Sequence, residues 1–465
     1  MLTREQAHDI FGVLRKSTSC DEVELLVSGG NFALTRFANN GVTQNVSEEN
    51  YSFSVRVNLD GRTARATTNK RDAESLKRVV EQAEALARVQ QQDPDLLPMP
   101  TPREVASHSE GLPDAPPSRY FEATAAMTAG DRAQQVERMV TAGRKHGLTA
   151  AGTYSSGAHM EGVFNSRGVT QWHEQSSAEA SITMLGENSS GWQKANSTNA
   201  DDFDAAKLAE IAAEKASLSA DPKELPAGKY TVVLEPSAVL DIVGFMFWDF
   251  SGLALLDQRS FLNDRVGKQI FGDELNISDD VYHPLQSGFA FDGEGMRRSR
   301  VNLVEGGVPK RVTFARATAA LMAKSELGRK VGSVQATGHG FALPNEMGEA
   351  PMNIVFAPPK DPKTVDQMVN NVEHGILVTR LWYIREVEPY EKILTGMTRD
   401  GTFLIENGKV KHGVRNFRFN QGLIAMLSNI EAMSMPVRAS GEESIDMVVP
   451  AMTVREFNFT EVTKF

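Results

Sequence analysis

Cysteine is nearly missing from this 465-residue chain, where Cys20 stands alone. A single thiol cannot close an internal disulfide, and it rules out a thiolate cluster around a metal. It lies in TSCDE without a neighbouring base to stabilise a thiolate, so it reads as an inert structural thiol. Histidine is scattered rather than scarce. The nine are His8, His108, His146, His159, His173, His283, His339, His374 and His412, and no two lie three to five residues apart. A helix carrying two histidine ligands for one zinc ion is thereby excluded. His173–Glu174 opens like such a motif, but position 177 is serine and the segment alternates like a strand. Also lacking are a G-x-S-x-G elbow, a Walker A loop and a G-x-G-x-x-G turn after a strand.

Long apolar runs are missing too. The longest, around Ile242–Trp248, is bracketed by Asp241 and Asp249 and is too short to span a bilayer. The first sixteen residues carry charges inside their apolar pattern, which does not make a secretory signal. A net charge of −11 lacks the basic footprint of a nucleic-acid binder. These absences point to a cytoplasmic protein with neither a membrane nor a nucleic-acid partner. Hydrophobic residues make up 41% and charged residues 23%, enough to bury a core in two or three domains.

Proline punctuates the chain. Seven of the twenty prolines fall between Asp93 and Pro117, which predicts an extended surface linker over 93–117. A second break, SADPKELPAG, covers 219–228. Over its first 218 residues the chain echoes itself. Asn39–Asn69 and Asn165–Asn199 each place an Asn and GVTQ before an alternating strand, then a turn, a second strand ending in Thr-Asn, and a helix. The turns fall at Asp60–Gly61 and Gly186–Gly191. Tyr51, Phe53, Val55 and Val57 alternate as on a half-buried sheet, and Leu76, Val79, Val80, Ala83 and Leu86 recur at helical spacing. Leu208, Ile211 and Ala212 form a weaker stripe in the second copy. A helix and strand precede each copy, at Arg4–Lys16 with Glu22–Val27 and at Asp131–His146 with Thr149–Tyr154. The fold class is therefore α+β. A duplicated α/β region, 1–92 and 118–218, builds one N-terminal domain ahead of a β-rich C-terminal domain, 229–465.

The C-terminal part predicts strands in YTVVLE, RVNLVEGGVPKRVTF, MNIVFAP, GILVTRLWYI and GTFLIENGKVKHGVRNF. Helices are expected from Pro236 through the apolar run to Phe250, over Thr364–Asn371, and over Gln421–Met433. The apolar run suits the core or a subunit interface. The basic run GMRRSR (Gly295–Arg300) suits pairing with carboxylates or a partner.

Several stretches, in order along nearly the whole chain, resemble the TldD/PmbA (TldE) family. They are the GVTQ…DGRTARATTN unit, GKYTVVLEPSAV, SFLNDRVGKQI, FDGEG, the array LVTRLWYIREVEPYEKILTGMTRDGTFLIENGKVKHGV, and NQGLIAMLSNIEAM. Members were once described as modulators of DNA gyrase and are now regarded as a two-subunit zinc peptidase. The resemblance implies a heterodimer in which a TldD-like subunit carries HExxxH on a helix after the VVL strand, plus a cysteine near its C-terminus. Two such histidines can share a zinc ion while the glutamate acts as general base. Here the corresponding stretch reads GFMFWD: Gly244 and Asp249 replace the histidines, and Phe245 replaces the glutamate. The segment GEESIDMVVPAMTVREFNF holds no cysteine. By this resemblance the chain is the TldE-like, non-catalytic subunit, with no catalytic residue and no metal or other cofactor of its own. Zinc belongs to the TldD-like partner. The substrates implied are unfolded peptides or peptide precursors, bound as an added strand.

Two other readings stay open. One is a free-standing homodimer that binds peptides. The other is a metallopeptidase with a relocated site using Asp249, Asp292, Glu294 or His339. FDGEG sets Asp292 and Glu294 two residues apart, as a cation loop or as a solvated turn with local side-chain-to-backbone bonds. His339 lies between glycines, in a loop that either faces a ligand or is plainly mobile. Asp292, Glu294, Gly338, His339 and Gly396 are the candidate groove residues. Elemental analysis of the untagged chain purified alone is expected to find near-zero zinc; about one zinc per chain would refute the assignment.

Overall fold

The sequence echo is resolved as a single sheet. The structure, a computed structural model, describes residues 1–331 and 334–463. Its first half contributes six strands: β1 (Glu22–Ala38), β2 (Gly41–Leu59), β3 (Arg62–Thr68), β4 (Thr149–Asn165), β5 (Thr170–Leu185) and β6 (Ser190–Ser197). They pair in the order β3-β2-β1-β4-β5-β6, each neighbour antiparallel. The two copies therefore meet along their first strands, with Glu24 opposite Asn165 and Phe37 opposite Gly152.

Helices Arg4–Ser17 and Ala73–Val89 cover one half of this sheet, and Ala129–Lys145 and Ala205–Leu218 cover the other. Capping boxes start two of them, Thr3 with Gln6 and Thr128 with Asp131. Phe53, Val55 and Val57 are fully buried beneath Leu76, Val79 and Val80, as their spacing predicts. Alternation along β1 sends Val23, Leu25 and Val27 to the helices and Glu24 to the opposite face.

That opposite face meets the C-terminal half. Glu24 and Arg56 are both fully buried, paired at 2.9 Å, and Arg65 joins Glu24 at 2.7 Å while donating to the Leu343 carbonyl at 2.6 Å. Burial opposes ionisation of Glu24, but the two guanidinium groups outweigh it and hold its carboxyl below the usual range. Elsewhere along the seam Arg119 donates to the carbonyls of Val281 and Gly288, and Lys194 to that of Gly441.

Residues 93–117 are not wholly extended. Helix Pro102–His108 forms inside them, with proline in its first turn and a Thr101–Glu104 capping box. TPRE is a helix-start signal that the proline count hides.

The C-terminal half holds two sheets. One has Ile277–Asp279 and Ile354–Phe356 at its centre, with Val301–Glu305, Val308–Pro309, Met447–Val449 and Val437–Ala439 outward. In the other, Gly228–Leu234, Met452–Val462, Phe417–Gly422, Ile393–Glu406 and His374–Glu388 pair in turn, and the last returns to the first. The ring closes and leaves no free edge among these five. Two helical expectations need correction. The α-helix from Pro236 ends at Val243, and Gly244–Asp249 continues as a tighter 3₁₀ turn. Gln421–Met433 is helical only over Leu423–Ser428, because Ile430–Met433 is taken up as a strand beside Met452–Val462. Thr364 caps the helix Val365–Asn370, as predicted.

Substituting Glu24→Gln leaves two buried guanidinium groups short of an anion. Urea unfolding is expected to show a loss of about 3–5 kcal/mol; a loss below about 1 kcal/mol would mean that the seam does not depend on this pair.

Candidate functional site

Strand Gly228–Leu234 leads into the Pro236–Val243 helix, which delivers the 244–249 turn to a cleft of about 410 Å³. Phe245, Phe247, Trp248, Met352, Glu442 and Ile445 are among its walls. Trp248 is 53% exposed and stands 6.2 Å from the Phe341 ring. Its lining is largely apolar and aromatic.

At position 244 there is no room for a side chain. A Cβ there would lie 1.9 Å from Ser444 Oγ. Ser444 belongs to GEESIDM, the segment in which the sequence shows no cysteine, so the structure brings these two stretches together. Asp241 holds that segment down: one carboxylate oxygen accepts the N–H groups of Glu442 and Glu443, each at 3.2 Å. The Glu443 carboxylate in turn accepts the N–H of Tyr383 at 2.7 Å and of Ile384 at 3.2 Å. Any Cβ at Gly441 would lie 2.3 Å from Asp241 Oδ1, which keeps that position to glycine. Burial pushes the Asp241 carboxyl up to about 7, with the backbone amides pulling the other way.

At position 249 the carboxylate is already engaged. Asp249 takes the Lys392 ammonium at 2.5 Å and the Phe261 N–H at 2.9 Å. Burial pushes its carboxyl up, and Lys392 offsets part of that. A zinc ion does not fit these residues. Position 244 offers no side-chain atom, position 245 is a phenyl ring and position 249 is held by a cation.

The other sequence candidates fall into a separate, buried knot. Asp292 accepts the N–H groups of Glu294, Met296 and Gly340 at 2.9, 2.9 and 3.0 Å. The first two are the local bonds expected of a turn, yet Asp292 and Glu294 are only 2% and 3% exposed, so the solvated reading is wrong. Burial, with Glu294 alongside, drives the Asp292 carboxyl above its usual range. Glu294 pairs with Arg316 at 3.0 Å.

His339 faces no ligand loop: it is 1% exposed, with Nε2 2.9 Å from Asp279 and Nδ1 2.9 Å from the Thr337 carbonyl. The Asp279 contact lies off the ring N–H direction, an electrostatic pairing rather than an aligned hydrogen bond. Gly338 has a left-handed φ of 70°, and a Cβ there would strike the Arg297 carbonyl. Gly396 lies apart from this knot, on strand Ile393–Glu406, where a Cβ would meet the Phe419 ring at 2.7 Å. Of the basic run, Arg297 donates to the Asp114 carbonyl at 2.9 Å and Arg298 to Asn353 at 3.0 Å. Among the described residues, no three His, Cys, Asp or Glu side chains converge to hold a metal ion.

Asp241, Lys392 and Ser444 escaped the sequence reading. Asp241 had a signal, a lone charge inside an apolar helix; Lys392 and Ser444 had none.

The raised Asp241 value has a sign. A carboxyl that titrates near 7 when folded and near 4 when unfolded favours the folded state below about pH 4, and that contribution is lost as pH rises through 7. The thermal midpoint is therefore expected to fall between pH 6 and pH 8, and less steeply in Asp241→Asn. Equal slopes in differential scanning fluorimetry would show that Asp241 does not titrate there.

Known proteins resemble this chain over most of its length. Residues 23–87 match the PmbA/TldA metallopeptidase domain 1, 114–220 the central domain and 227–461 the C-terminal domain. Metalloprotease PmbA of Escherichia coli O157:H7 is 25% identical over 240 residues, 50% of this chain and 47% of that protein. A PmbA homologue of Haemophilus influenzae is 25% identical over 49% of this chain and 46% of its own length. The matched region thus spans about half the length of these curated relatives. Among solved structures, TldE from Thermococcus kodakarensis superposes with a TM-score of 0.81 over 98% of this chain and 100% of that one, at 18% identity. A Thermotoga maritima protein described as a modulator of a DNA gyrase gives 0.81 over 98% and 99%, at 19% identity. At such identities the likeness speaks for the fold. With three successive domain matches, the last covering half of its residues, the chain belongs to the PmbA/TldD metallopeptidase family.

Proposed function

We propose that this chain is the non-catalytic, TldE-like subunit of a two-subunit zinc peptidase that acts on unfolded peptides or peptide precursors. Its part is to shape the chamber and the substrate groove, while a partner chain bearing HExxxH holds the zinc and performs hydrolysis. One observation carries this reading. The 244–249 turn keeps its place after the VVL strand, but Ser444 fills the space at 244 and Lys392 neutralises 249. Neither position can hold a metal or polarise a water there.

What remains at this place suits binding rather than chemistry. Phe245, Phe247, Trp248 and Ile445 offer apolar surface to side chains of an extended peptide, and Glu442 lies on the rim, where Lys194 approaches it at 3.5 Å. Lys194 stands on β6, the last strand of the N-terminal sheet, so the cleft borders the seam between the two halves. A folded protein cannot enter such a cleft, which favours unfolded substrates. No described helix is long and apolar enough to cross a membrane; the cytoplasm is the compartment proposed.

Peptidase assays on an unfolded polypeptide test the assignment. Activity is expected only when this chain is mixed with a HExxxH-bearing partner, with none from this chain alone. Full activity from this chain, unchanged by the partner, would overturn it. Peptide binding with no effect on the partner's activity would favour a free-standing binding protein instead.

A further inference from the structure

The basic run Gly295–Arg300 takes no part in the cleft at Trp248. The fold itself uses two of its arginines. Arg297 donates to the carbonyls of Pro113 and Asp114, and Arg298 donates to Asn353. Arg300 is left over. Its one ion pair among the described residues, to Asp280 at 3.6 Å, leaves its side chain 62% exposed.

Arg300 lines a pocket of about 370 Å³ at the seam between the two halves. Ser107 and His108 approach it from the end of helix Pro102–His108, and Arg311 from the segment after strand Val308–Pro309. Arg311 is exposed and makes no ion pair or hydrogen bond among the described residues. Against these two guanidinium groups the lining sets one carboxylate, Glu110. In a chain of net charge −11, such a local excess of positive charge attracts an anion from outside.

The Ser299 hydroxyl, also on the lining, stands 3.3 Å from His108 Nε2. Burial holds the His108 imidazole below its usual value, so at neutral pH it supplies a hydrogen bond rather than a charge. Hydroxyl, imidazole and guanidinium groups together make the donor set for an oxyanion. The rest of the lining includes Val301, Val312 and Phe314, all buried and apolar. A free inorganic ion leaves those faces bare. A carboxylate carried beside an apolar side chain uses both kinds of surface.

We propose that this pocket binds the C-terminal carboxylate of a peptide whose last side chain is apolar. Arg300 and Arg311 take the carboxylate, while Val301, Val312 and Phe314 take the side chain. Thr337 lines the pocket, and the loop that carries it runs on to Phe341, whose ring lies 6.2 Å from Trp248. Pocket and cleft thus share one support. A peptide as the ligand rests on the proposed subunit role. Binding is read on this chain alone and hydrolysis on its mixture with the partner, so the two readings fail separately.

Titration calorimetry on the full chain tests it. The probes are N-acetyl-alanyl-phenylalanine, its C-terminal amide, N-acetyl-alanyl-glycine and inorganic phosphate. The phenylalanine acid is expected to bind, and the amide and the glycine compound to bind about tenfold more weakly or worse. Arg311→Gln and Arg300→Gln should each weaken binding of the acid by about tenfold and leave the amide unchanged. Both side chains are exposed, so these variants should keep the wild-type thermal midpoint. Arg78→Gln, 60% exposed on helix Ala73–Val89, should bind the acid as the wild type does. Equal binding of acid and amide, no binding of the acid, or full binding by both pocket variants would overturn the proposal. Phosphate binding more tightly than the acid would also overturn it, and would make the pocket a free phosphate site.

Discussion

Lys392 places a buried ammonium between the buried Asp249 and the partly exposed Glu386, and the position of the 244–249 turn depends on that placement. A charge so buried must be paired, since solvation lost on burial has to be replaced by close opposite charge. The pairing fixes where the 244–249 turn can lie. It also uses up the one carboxylate that this turn could have offered a metal. Ser444 closes the other end of the same turn by contact rather than by charge. Hydrolytic chemistry of the metallopeptidase kind has no foothold between them.

The N-terminal half follows a different constraint. Two α/β copies join along β1 and β4 into one sheet, with all four long helices on one face. A sheet covered on one side must meet something with the other. Here the other side carries Glu24, Arg56 and Arg65, which pair with one another, and Arg65 also donates to the Leu343 carbonyl of the C-terminal half. The two halves are thus held by polar groups that are costly to separate, and the cleft at Trp248 opens beside that seam.

The buried knot around Asp292 and His339 obeys the same rule as Lys392. In sequence, FDGEG and GHG look like exposed loops, rich in glycine and charge. In the fold they are packed against each other, and Asp292 takes the N–H of Gly340, the residue after His339. Their glycines serve close packing: a Cβ at Gly293 or Gly338 would strike the backbone of the opposing loop. Acidic and imidazole groups gathered in this way suggest a metal centre on paper. In three dimensions Asp292 is spent on amides, Glu294 on Arg316 and His339 on Asp279.

The sequence by itself determined what depends on local periodicity and on residue identity. Alternating apolar residues at Phe53, Val55 and Val57 specify a half-buried strand, and the echo between Asn39–Asn69 and Asn165–Asn199 specifies two like units. The lack of paired histidines excludes a zinc helix without any coordinates. Tertiary structure decided what depends on contacts between distant residues. It ended the Pro236 helix at Val243, where Ser444 from 200 residues later packs against Gly244. It drew Ile430–Met433 out of a helical pattern into a strand, because the backbone of Met452–Val462 offered hydrogen bonds there. And it delivered Lys392 to Asp249 across 143 positions. A lysine in a turn carries no local mark of burial; only the cost of leaving two carboxylates unpaired in the folded chain gives it that role.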